Sequence, residues 1–212
     1  MLFSHRQPGQ RAPISARRVM TRSGGRTEAN RQAVAKAVLR LLSEGRLDFG
    51  AQEVAEISGV HRTTIQRRWP SHDALIAEAM AEHTSHLAVD LSGDWRAVVR
   101  RMAFGLRDFM SDPTEAALSR YLPASESPEL LELVARQWNG LFAALAEPLL
   151  EAQRRGAIRE DADVEMVVVG LASTLSTLTT YNRRAPSDAT TERLAKQAIR
   201  GLTPIPAGRK DR

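Results

Sequence analysis

Residues 51–75 read AQEVAEISGVHRTTIQRRWPSHDAL. Two short helical segments, about Ala51–Ile57 and Arg62–Arg68, flank Ser58-Gly59. Glycine permits the positive φ that a tight turn between two crossing helices needs. Ala55 is small enough for the helices to cross closely, and Val54, Val60, Ile65 and Trp69 supply apolar contacts to lock the pair against a preceding helix. The second segment stops before Pro70, because the residue preceding a proline is biased out of the helical region. This is the helix-turn-helix pattern, and it leaves the start of the second segment free to enter a major groove.

The flanking sequence continues as helix in both directions. Ala33, Val34, Ala37, Val38, Leu41 and Leu42 form one apolar stripe, predicting a first helix over about Thr27–Ser43, with Thr27 as its cap and Gly45 at its end. Ser71 caps a fourth helix carrying Leu75, Ile76, Ala79 and Met80. A fifth begins near Asp94, and Pro113, Pro123 and Pro128 punctuate a short sixth. Glu129–Arg155 reads as one long helix with Pro148 as a bend and Gly156 as its end. An eighth spans about Asp163–Tyr181 and a ninth about Ala189–Leu202. Val167-Val168-Val169 could be a buried strand, but no partner strand appears, so the expected class is all-α with about nine helices. The predicted division is a basic arm (1–26), a helix-turn-helix domain (27–78), a helical second domain (79–202) and a tail (203–212).

Composition narrows the function classes. Of 212 residues 42% are hydrophobic and 26% charged, which fits a globular chain. The absence of cysteine removes disulfides, thiolate metal sites and cysteine nucleophiles. No unbroken apolar run approaches the ~18 residues that cross a bilayer, and the start has no apolar signal region, so a cytoplasmic protein without a membrane partner is expected. The net charge of +5 is unevenly placed. Residues 1–26 hold six arginines and no acid; 27–78 hold seven basic and seven acidic residues; 79–212 hold seventeen and eighteen. Such an arm either adds phosphate contacts through counterion release or is a solvated tail.

The run Gly59-Val60 through Thr64-Ile65, then Arg67, Trp69-Pro70-Ser71 and Leu75, resembles the TetR family of bacterial transcriptional regulators. The nine-helix layout and the Arg155-Gly156, Arg159-Glu160-Asp161 junction agree with it. The resemblance implies a DNA-binding head and a C-terminal domain whose middle helices surround a ligand cavity and whose last two helices dimerise. It departs from the family at two positions: the usual phosphate-contacting tyrosine is Gln66, and the lysine that opens the fourth helix is His72.

Candidate DNA contacts follow from position and chemistry. Arg62, Thr63 and Thr64 lead the recognition helix, where arginine bonds guanine and threonine meets a thymine methyl. Gln52 can reach a base or a phosphate. Gln66, Arg67, Arg68 and His72 are phosphate-side candidates, with Thr27 at the first helix N-terminus, where backbone amides attract anions.

In the second half, Met102, Leu106, Phe109, Met110, Tyr121, Trp138 and Phe142 are either the lining of a cavity for a hydrophobic small molecule or an ordinary core. Val164, Val168, Leu171, Ala172, Leu175, Leu178, Leu194 and Ala198 form either a homodimer interface or a surface buried within one chain. Glu82, His86 and Asp90 fall on one face of the fourth helix at i, i+4 and i+8, with His83 beside them, a spacing that can hold a metal but is more often a wet helix face; no metal site and no cofactor is expected. No Ser/His/Asp set and no glycine-rich phosphate loop suggests an enzyme. The expected function is a sequence-specific regulator, a repressor released from a palindromic operator by a small molecule. The alternatives are a regulator of the same fold without an effector, an activator, and a helical interaction module.

Overall fold

The computed structural model describes residues 25–122 and 125–204. Of the expected arm only Gly25 and Arg26 are described, and of the expected tail only Thr203 and Pro204; the rest of both lies outside the described residues. Nine helices follow one another among the described residues: α1 (Gly25–Ser43), α2 (Ala51–Ser58), α3 (Arg62–Arg68), α4 (His72–Thr84), α5 (Trp95–Met110), α6 (Pro113–Tyr121), α7 (Pro128–Arg154), α8 (Val164–Asn182) and α9 (Asp188–Leu202).

Local chemistry sets most of the boundaries. Gly45 at φ 77° closes α1, with its N–H on the Leu42 carbonyl (2.8 Å) and that of Arg46 on Leu41 (2.9 Å). Side chains of Ser71, Asp94, Asp112, Ser127, Asp163 and Ser187 accept from the first free amides of α4 to α9. Thr27 does not cap α1, because the helix already starts at Gly25. Helix α7 continues through Pro148. Helix α4 ends at Thr84, so Asp90 lies beyond it and accepts instead from Ser92 Oγ (2.6 Å), outside any shared face with Glu82 and His86.

Two apolar cores organise the molecule. One joins α1, α2, α3 and α4 with Ala117 and Leu118 of α6 and Leu130 and Val134 of α7; Val38, Ile65 and Ile76 are fully buried in it. The other is built from α5, α7, α8 and α9 around Met102, Leu106, Leu149, Val168 and Leu175. The head core therefore passes residue 78, the expected domain boundary, through Ala79 and Met80 into α6 and α7. Trp138 packs against both cores.

Candidate nucleic-acid interface

The reading head is held from beneath. Gly59 takes φ 71° and donates its N–H to the Ala55 carbonyl (2.9 Å), turning the chain from α2 into α3. Val54, Val60, Ile65 and Trp69 are all buried. Each such side chain contributes about 1.5–3 kcal/mol of burial, so the orientation of α3 is set by packing rather than by its seven residues alone.

The outer side of α3 is open. Arg62, Thr63, Gln66, Arg67 and Arg68 are exposed and Thr64 is half-buried. Arg62 and Arg67 make no hydrogen bond or ion pair among the described residues, which leaves both guanidinium groups available. Arg68 sits 5.0 Å over the Trp69 ring and donates to the Thr27 carbonyl at 3.3 Å, tying the end of α3 to the start of α1. A groove beside α3 is lined by Arg26, Asn30, His61, Thr64, Arg67 and Arg68. Sequence reasoning missed Asn30 and His61 there, while Arg26 is the last arginine of the expected basic arm; the apolar stripe of α1, which points the opposite side of that helix outward, carries the signal for Asn30. Gln52 is exposed and donates to Glu56 at 2.8 Å.

His72 departs from its expected place. Its ring packs on Phe49 at 4.6 Å between centroids, and Nδ1 lies 3.0 Å from the Tyr121 hydroxyl. Burial lowers the pKa of this half-buried imidazole, and with Nδ1 on Tyr121 and Nε2 covered neither ring nitrogen is open to a phosphate. Beneath the head, Glu78 accepts from Trp69 Nε1 (2.9 Å) and from Arg31 (2.7 Å), and Arg31 also bonds Glu82 (2.9 Å) and Glu28 (2.8 Å). This network fixes the end of α3 to α4 and α1.

A cavity of about 220 Å³ lies between α6, α7 and α8. Of the seven candidate lining residues, Met110, Trp138 and Phe142 are on its wall. Met102 and Leu106 are fully buried in the core and away from it; Phe109 lies behind Trp138, stacked on His83 at 4.4 Å; Tyr121 bonds α4 instead. The reason is geometric: these four share the apolar character of the wall but point to other sides of α5 and α6. The wall is completed by Glu115, Ser119 and Leu122 from α6 and by Ala172, Ser173 and Ser176 from α8. Glu115, Ser119 and Leu122 recur at i, i+4 and i+7, a readable stripe that sequence analysis passed over.

Five of the eight expected dimer residues lie inside the chain instead. Val164, Val168, Leu171, Ala172 and Leu175 are buried within the chain against α5 and α7, and Leu178, Leu194 and Ala198 are half-buried. Helix α8 is nonetheless long and apolar enough to pass for a membrane span by length and composition, and only about a third of its most apolar stretch is buried. Its open side runs along Met166, Gly170, Ser173, Thr174, Thr177 and Tyr181, with Met166 60% and Tyr181 84% exposed.

Residues 89–198, just over half of the chain, match the family described as tetracyclin repressor-like, C-terminal domain. The chain belongs to the TetR family. It is 25% identical over 154 residues to the HTH-type transcriptional regulator AqdR of Rhodococcus erythropolis, covering 71% of this chain and 74% of that one. The crystal structure of the TetR family transcription regulator SCO0332 superposes with a TM-score of 0.65 at 27% identity, over 82% of this chain and 99% of the other. The flavonoid-responsive regulator FrrA shares the fold at 18% identity and a TM-score of 0.61, over 82% and 94%. As a member of the TetR family the chain is a DNA-binding transcriptional regulator, not an enzyme. Among the described residues no group of three His, Asp or Glu side chains is placed to hold a metal ion.

Proposed function

We propose that this regulator is a cytoplasmic repressor that binds a palindromic operator as a homodimer and is released by a small molecule in the α6–α7–α8 cavity. The observation that carries the reading is the double role of α6. One side of that helix lines the cavity through Glu115, Ser119 and Leu122; the other side carries Ala117 and Leu118 into the head core and Tyr121 onto α4. A ligand that fits a shifted α6 better would shift α4 and the recognition helix with it, by as much as its differential affinity allows. Arg62, Thr63 and Thr64 are the proposed base contacts. Arg26, Arg67 and Arg68, with Gln66 and Thr27, are proposed for the phosphate side, and Gln52 for either. Two heads are needed to read two half-sites about 34 Å apart, and the open strip of α8 from Met166 to Tyr181 is the surface proposed to join them. FrrA, of the same fold, is by its name responsive to a small molecule.

Fluorescence anisotropy with DNA tiled across the region flanking the gene, at two salt concentrations and against random DNA, tests this. Tight, salt-dependent binding to one tile with two protomers per site supports it. One protomer per site, or no preference among tiles that include the operator found by genome-wide selection, overturns it.

A further inference from the structure

Glu115 stands on the cavity wall with only 6% of its surface exposed. Its carboxyl makes no hydrogen bond and no ion pair among the described residues. Its neighbours on the wall include Met110, Leu122, Trp138 and Phe142. The charge whose field reaches it is Asp112, another acid, which already accepts from the Thr114 amide at 2.7 Å. Burial, with Asp112 adding to it, pushes the carboxyl up to about 7.

The other buried acid among the described residues is held differently. Glu82, 8% exposed, has Arg31 at 2.9 Å. A buried carboxylate without a partner is strongly unfavourable, and structures avoid it by pairing or by neutralisation. Glu115 is thus an acid without a counter-ion among the described residues, on the wall of an open pocket that also carries Trp138, and indole faces attract cations.

We propose that this cavity binds a small organic cation, an ammonium group on an apolar body, with Glu115 as its counter-ion. Trp138, Phe142 and Met110 take the body, and Ser119, one turn beyond Glu115, is placed to accept a second N–H. The volume of about 220 Å³ limits the ligand to a small one. That the cation is the effector rests on the release mechanism proposed above; that it binds does not.

The test is calorimetry on the full chain with a matched pair of probes, phenethylammonium and its uncharged counterpart 2-phenylethanol, for wild type and Glu115→Gln. The expected result is a preference for the cation of at least about tenfold in wild type, the worth of a charge-assisted pair. In Glu115→Gln the preference falls to near unity and the affinity for the alcohol is unchanged. Equal affinity for the two probes in wild type, no binding of the cation, or a preference that survives Glu115→Gln overturns the proposal. The wild-type ratio decides even if the variant does not fold. Operator binding is followed by anisotropy in the same samples. A Glu115-dependent cation complex that leaves DNA bound upholds this site and removes the release mechanism alone.

Discussion

The Tyr121 hydroxyl donates to Asp73 Oδ1 at 2.6 Å and lies 3.0 Å from His72 Nδ1, so the last residue of α6 is fastened to the first two residues of α4. Burial and the Asp73 carboxylate push this phenol up to about 12, so it stays protonated and keeps donating at any ordinary pH. Tyr121→Phe removes the hydroxyl and leaves Asp73 and His72 without it. The expected loss of stability is about 2 kcal/mol, the range for a bond to a charged acceptor, measured by urea unfolding. Weaker operator binding is expected with it, because the α4 end of the head is less firmly held.

On the reading face, Arg62 and Arg67 are both unpaired among the described residues but stand at different points of α3. Arg62→Ala is expected to cost about 1–3 kcal/mol on the cognate operator and to relax discrimination at one base pair. Arg67→Ala is expected to weaken cognate and random DNA alike and to lower the salt slope by about one. Anisotropy titrations over a salt series separate the two. An Arg62→Ala variant with unchanged discrimination would remove Arg62 from the base-reading set.

Gly170 lies on the open side of α8 with nothing within 4 Å of a Cβ placed there. Gly170→Arg is therefore expected to leave the folded chain intact, with unchanged or slightly raised helix stability, while breaking close helix–helix approach between protomers. Analytical ultracentrifugation is expected to show a monomer, with operator affinity lost. Val168→Arg is the contrasting variant: Val168 is fully buried, so this change is expected to unfold the chain. A dimeric Gly170→Arg protein would place the interface elsewhere.

Two buried groups give stability opposite dependences on pH. Glu115 has a folded pKa of about 7 against an ordinary 4.5, so its favourable state is present below 4.5 and is lost as pH rises to 7. The stability of Glu115→Gln relative to wild type is expected to improve by up to about 3 kcal/mol between pH 4.5 and 8. His83 is held below 6.5 by burial, against the field of Asp112 and with that of His86. Its contribution is present above 6.5 and is lost as pH falls, because the unfolded imidazole takes up a proton first. His83→Phe, which keeps the stack on Phe109, is expected to gain on wild type as pH falls from 7.5 to 5.5. Unfolding free energies across this range check both.

The parts of this structure legible in the sequence are those decided by neighbours in the chain. Gly59 announces its turn because few residues other than glycine accept φ 71° there, and Ser71, Asp94 and Asp163 announce helix starts because their side chains reach amides two or three residues on. The misread parts are decided across the fold. Val164, Val168, Leu171 and Leu175 repeat at a spacing that suits an internal core face and a seam between protomers equally well; α5, lying over them, settles it. His72 has a side chain suited to phosphate, and only the approach of Phe49 and Tyr121 turns it inward. Glu115 has no chain neighbour that marks it as buried; only the fold places it on a wall shared with Trp138, Phe142 and Ala172.

Trp138 is shared by the head core, the second core and the cavity wall. On the release mechanism proposed above, a single indole in three roles would tie ligand preference to the resting tightness of gene control. A change there that enlarges or narrows the cavity would also alter how firmly the head is seated before a ligand arrives. On that same proposal, lineages adapting to a new inducer through this position would inherit an altered basal expression level along with it, whereas changes at Ser119 or Ser176 would shift inducer choice alone.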